Sequence, residues 1–89
     1  MNCIVSIAEL YGIETMLIHG YSTRFSHIPR EFTKKIISDL GLTRGSNRKY
    51  YGDPDIIYEY FKSNYPDYIK RYNVHDYGAL LSLAYRNMI

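Results

Sequence analysis

Three histidines, His19, His27 and His75, and one cysteine, Cys3, are the side chains of this chain best suited to metal binding or nucleophilic chemistry. None of them falls at the short paired spacings that zinc sites use. Cys3 is followed by Ile4 and Val5, an apolar neighbourhood that favours a buried, inert thiol over an activated one. His75 and Asp76 are neighbours in sequence. On a helix, neighbouring side chains point about 100° apart and cannot form an imidazole–carboxylate pair. Glu9 and Glu14 are turned apart in the same way, so they do not make a paired-carboxylate site. Gly41, Gly45 and Gly52 flank a basic loop, but no G-x-x-x-x-G-K-[ST] phosphate-binding pattern occurs. The expectation is a protein with no catalytic residue, no metal ligand and no cofactor, and hence not an enzyme.

Two other features carry more information. The net charge is only +2, but it is unevenly spread. Arg24, Arg30, Lys34, Lys35, Arg44, Arg48 and Lys49 face only Glu31 and Asp39 within the segment 24–49, whereas acidic residues outnumber basic ones in the remainder. The chain also has 11 tyrosines but only 3 phenylalanines and no tryptophan. Tyr11, Tyr60, Tyr77 and Tyr85 suit a core rim, with ring buried and hydroxyl at the edge. Tyr50, Tyr51, Tyr58, Tyr65, Tyr68 and Tyr72 are too many to bury in a few short helices. Exposed tyrosine beside basic residues is a preferred anchor of protein interfaces. Two places combine them: Tyr65, Tyr68, Lys70, Arg71 and Tyr72, and the pair Tyr50 and Tyr51 following Arg48 and Lys49. The first is entered through Pro66 and has less backbone freedom to lose on binding, so Tyr68 and Tyr72 are the expected anchors.

The basic segment offers a nucleic-acid alternative. Residues 34–51 resemble the helix-turn-helix DNA-binding pattern in outline, with Leu40, Gly41 and Leu42 as the turn and 43–51 as the recognition helix. The resemblance covers about twenty residues. It implies that Arg44, Arg48, Lys49, Lys34 and Lys35 contact nucleic acid. Asn47 stands where the second helix needs an apolar residue, and Gly45 costs about 1 kcal/mol of helix propensity. The same residues would serve a single-strand binder, with phosphates on the cations and a base stacked on Tyr50 or Tyr51.

The elements that must position these side chains are mainly helical. Ser6 and Glu9 have the spacing of a capping box, with Val5 and Leu10 placed as a hydrophobic staple, so a helix is expected over 7–19. Gly20 suits the left-handed residue past its end. Residues 21–28 read as a loop. Pro29 opens a second helix over 29–40, with Phe32, Ile36, Ile37 and Leu40 as its apolar stripe and Gly41 as its stop. Residues 43–52 read as an ordered loop or a strained short helix. Asp53, Pro54 and Asp55 start a third helix, over 54–63, with Ile56, Ile57, Tyr60 and Phe61 turned inward. A short helix follows from Pro66 to Tyr72. Asn73 and Asp76 have cap-pair spacing, and a last helix is expected over 74–87 with Tyr77, Leu80, Leu81, Ala84 and Met88 on one face. The expected core comprises Ile7, Leu10, Leu17, Phe32, Ile36, Leu40, Ile57, Phe61, Leu80, Leu81 and Ala84.

The fold class expected is therefore all-α, a compact single domain of four to five short helices spanning residues 1–89. The alternative is α+β, with a short N-terminal strand paired to 44–51. The lone cysteine closes no internal disulfide, and no apolar run approaches the ~20 residues that cross a bilayer. A cytoplasmic protein without a membrane partner is expected. Its partner should be another protein, and self-association is compatible with such a surface. Small single domains of this kind are common among accessory proteins and enzyme inhibitors of phages and other mobile elements.

Overall fold

A computed structural model of the chain describes residues 2–23 and 27–89, apart from the Arg48 side chain. Arg24 and two further residues of the expected 21–28 loop lie outside the described residues, as does the Arg48 side chain. Among the described residues the elements run β1 (Cys3–Val5), α1 (Ile7–His19), α2 (Arg30–Leu40), β2 (Thr43–Arg44), a 3-10 turn (Ser46–Arg48), β3 (Tyr50–Gly52), α3 (Pro54–Asn64), α4 (Pro66–Tyr72) and α5 (Tyr77–Arg86). The protein is predominantly helical, and it adds the strand of the α+β alternative. The sheet order is β1-β3-β2, both pairs antiparallel, with Val5 opposite Tyr50 and Arg44 opposite Tyr50.

Most helix ends follow local chemistry. Gly20 and Gly41 take positive φ, 86° and 61°, and the Leu42 amide donates to the Ile37 carbonyl at 3.0 Å across the end of α2. That reversal drives Leu42 into the core. Asp53 accepts from the Asp55 amide at 2.9 Å and Pro54 opens α3.

Two helix starts differ from expectation. Ser6 occupies the position before α1, but among the described residues no side-chain capping bond forms there. The Glu9 carboxylate accepts instead from the Tyr85 hydroxyl at 2.6 Å, so it serves α1–α5 packing rather than a capping box. Asn73 does not begin α5. It ends α4 in the left-handed conformation, φ 55°, with the Val74 amide donating to the Ile69 carbonyl. Asp76 is the true cap, accepting from the Ala79 amide at 2.7 Å, and α5 starts three residues later than the periodicity suggests.

The core lies where α1 packs against α5 and α2, with α3 closing it. Leu10, Ile13, Met16, Ile36, Ile57, Phe61, Leu80 and Ala84 are all but inaccessible. Ile7 and Leu81, expected inside, are only partly buried against that cluster. Ile56 is 52% exposed, because Ile57 and Phe61 fill the inward stripe of α3 and Ile56 stands about 100° off it. Met88 is likewise exposed, beyond the end of α5.

A buried polar cluster ties the residues after α1 to the C-terminal residues. The hydroxyls of Thr15 and Ser22 both donate to the Gly12 carbonyl at 3.0 Å, and the Thr23 amide donates to the Thr15 hydroxyl. Ser22 also exchanges backbone bonds with Asn87 and Ile89 at 3.0 and 3.1 Å. The C-terminal residues are thereby held beside Ser22.

Candidate partner-binding surface

The tyrosine excess has a structural component that composition alone does not show. Four phenols donate across elements: Tyr58 to the Val74 carbonyl at 2.7 Å, Tyr60 to Asp39 at 3.4 Å, Tyr65 to Glu14 at 3.3 Å, and Tyr85 to Glu9. The rings of Tyr58, Tyr60 and Tyr65 pack against the core while their hydroxyls reach polar groups at the rim, which suits a domain with a thin core. Tyr85, expected at the core rim, is instead 46% exposed, with its hydroxyl engaged by Glu9. The protonated phenol is the form that donates. Burial and the nearby Asp39 and Glu14 carboxylates push the Tyr60 hydroxyl up to about 12. Burial and Glu14 raise Tyr65, and the bond to Glu9 raises Tyr85. Tyr77 is raised chiefly by burial. Tyr65 is therefore half-buried and engaged within the molecule, which leaves it a flanking position in the partner-binding set.

Tyr68 and Tyr72 lie one helical turn apart on α4, and their rings stack with centroids 4.4 Å apart and planes inclined by 26°. Tyr68 is 9% exposed, so it belongs to the core rim rather than to the surface. Its hydroxyl is raised by burial and by the Tyr72 phenol, with Arg71 pulling the other way. Tyr72 lies on top of it, 47% exposed. The buried ring is a platform for the exposed one. Arg71 is exposed at the same cleft as Tyr72, whereas Lys70, also exposed, lies toward the other side of α4, in a cleft with Tyr58 and Ile69.

α4 faces the C-terminal end of α1 across a cleft of about 320 Å³ whose walls include Ile18, His19, Tyr68, Arg71 and Tyr72. Ile18 is 53% exposed, and Tyr21, stacked on His19 with centroids 6.0 Å apart, is also exposed. The Ser22 bridge sets Met88 opposite Ser22, and Met88 and Ile89 are both exposed. Ile18 and Tyr72 thus stand exposed at this cleft, with Tyr21 reaching it through its stack on His19. Only Tyr72 of these was predicted to bind a partner. Ile18 was detectable as an apolar residue off the Leu10–Ile13–Leu17 stripe of α1. The placement of Met88 and Ile89 beside Ser22 depends on a long-range backbone bridge that has no local signature.

The second predicted place divides. Residues 43–52 form a β-hairpin rather than a recognition helix, with Asn47 in the left-handed conformation at its tip. The fold therefore lacks the second helix of a helix-turn-helix at this position. On strands, consecutive side chains take opposite faces. Tyr50 shares a face with Val5 and Arg44, whereas Tyr51 shares the other with Ile4 and Thr43. Both tyrosines are half-buried, and the Tyr51 ring lies so close over Gly45 that a Cβ there would collide with it. Arg44 and Lys49 are exposed on the hairpin, and Lys34 and Lys35 are exposed on α2.

Among the described residues, no three His, Cys, Asp or Glu side chains are grouped to hold a metal, and no helix is long and apolar enough to cross a membrane. No family model matches the chain, nor does any curated protein or solved structure.

Proposed function

We propose that this chain is a non-catalytic binding protein whose partner is another protein, gripped at the α1–α4 end. The observation that carries this reading is the exposure of Ile18 and Tyr72 at one cleft between α1 and α4, with the exposed Tyr21 stacked on His19, another of its lining residues. Isolated exposed apolar residues are ordinary, but a clustered set marks an interaction site. Tyr72 suits the anchor role because its stack on Tyr68 restricts the ring before any partner arrives, which lowers the entropy lost on binding. Arg71 and Asp67 both line the cleft, so the partner surface should be apolar with polar edges of mixed charge. A role as a small accessory protein or inhibitor, of the kind carried by phages and other mobile elements, belongs to this reading and would be decided by the partner's identity.

The test is affinity capture from the source cell with and without nuclease, followed by the captured protein's affinity for single variants. Tyr72→Ala should weaken binding by about 2 kcal/mol, roughly thirtyfold, with the melting temperature close to wild type. Tyr51→Ala should leave affinity unchanged. Equal affinity for Tyr72→Ala and wild type would sink the assignment. Capture that disappears with nuclease would favour the nucleic-acid reading of segment 24–49.

A further inference from the structure

At the sheet end of the molecule a second cleft, of about 650 Å³, opens between the hairpin, the first turn of α1 and the residues leading into α2. Its floor includes Val5, Tyr50 and Arg44, a row of paired residues that crosses all three strands. Ile7 and Ile28 line it as well. Two of its lining residues, Arg44 and Lys49, are cations, and no carboxylate is among the described lining residues. The Gly45 amide donates to the Lys49 carbonyl at 2.7 Å, and Arg44 pairs with Tyr50, so both charged residues flank the same turn.

Two like charges beside an apolar floor, with no carboxylate among the described lining residues, make the cleft complementary to an anion that also has apolar surface to bury. Its volume falls within the roughly 300–1,000 Å³ of small-molecule sites, which combine mostly apolar walls with a few placed polar groups. We propose that this cleft binds a small amphipathic anion: an apolar chain or ring over Ile7, Ile28 and Tyr50, with a single carboxylate or phosphate head against Arg44 and Lys49. Arg44 can meet such a head with two parallel N–H donors, and Lys49 adds a point charge. A free nucleic-acid strand fits less well, because its charge is repeated along a backbone whereas Arg44 and Lys49 are the only cations among the described lining residues. This site lies apart from the Tyr72 surface and stands or falls independently of it.

The test is a titration of the whole protein, followed by amide NMR shifts, with decanoate, decyl phosphate, decanol and inorganic phosphate, each below its aggregation threshold. Decanoate or decyl phosphate should shift the amides of Ile7, Arg44, Lys49 and Tyr50, and the tighter of the two identifies the head group. The Arg44→Gln/Lys49→Gln double variant, which changes only exposed side chains, should weaken that binding at least tenfold at an unchanged melting temperature. Tyr72→Ala should bind as wild type does. The proposal is overturned if decanol binds as tightly as the anions, which would leave an undirected apolar surface, or if inorganic phosphate does, which would leave a bare charge site. Absence of shifts overturns it too, and so does preferential, salt-sensitive binding of an oligothymidine at the same amides.

Discussion

Tyr68 and Tyr72 on α4, and Tyr50 and Tyr51 on β3, look alike in sequence: two tyrosines beside two basic residues. Their spacing separates them. Four residues along a helix return a side chain to the same face, so Tyr68 and Tyr72 stack and form one buried-and-exposed unit. One residue along a strand sends the next side chain to the opposite face, so Tyr50 lines a cleft while Tyr51 covers Gly45 on the other side. The first pair is a single anchor with a foundation. The second is two unrelated packing events that share a dipeptide. A tyrosine-plus-basic composition is therefore informative about binding only once the period of the underlying element is known.

The largest effect that sharpens this contrast is expected within α4 itself. Tyr68→Ala removes a nearly buried aromatic ring and should cost about 3–5 kcal/mol of folding stability, whereas Tyr72→Ala should cost less than about 1. Urea denaturation of the two variants measures the difference, and equal losses would mean that the stack is not a buried platform under an exposed ring. A smaller effect should appear at the sheet. A Cβ at Gly52 would stand 2.5 Å from Leu42 Cδ2 and 3.4 Å from Ile57 Cδ1. Gly52→Ala should thus destabilise by roughly 1–3 kcal/mol through overpacking. A variant as stable as wild type would show that β3 is not pressed against the helical core. The smallest difference concerns the two helix starts. Asp76→Ala should cost about 1 kcal/mol, because the Ala79 amide loses its acceptor, while Ser6→Ala should change stability by less than about 0.5. A substantial loss at Ser6 would restore the capping box expected from its spacing with Glu9.

What the residues determine by themselves is the set of helix boundaries governed within one turn of chain. Gly20 and Gly41 accept positive φ without a Cβ penalty, Pro54 and Pro66 preset the first helical turn, and Asp53 offers a short acceptor to the amides that follow. The inward stripes Phe32, Ile36 and Leu40 of α2 and Tyr77, Leu80 and Ala84 of α5 follow from their helical periods in the same way. Tertiary structure decided the rest, because the competing partners lie far apart in sequence. Three-residue strands are too short for an alternation to show, and β1 forms only by finding β3 across most of the first half of the chain. Glu9 and Ser6 have capping-box spacing, yet the carboxylate is taken by Tyr85 once α5 docks on α1. The same holds for the tyrosines. Tyr58, Tyr60, Tyr65 and Tyr85 are tied down by a carbonyl or a carboxylate on a distant element, and Tyr72 remains open because the ring beneath it, Tyr68, is the one the core accepted. Local propensity is set by neighbours within a turn, whereas burial of a phenol depends on which elements meet, and a single sequence does not display that meeting.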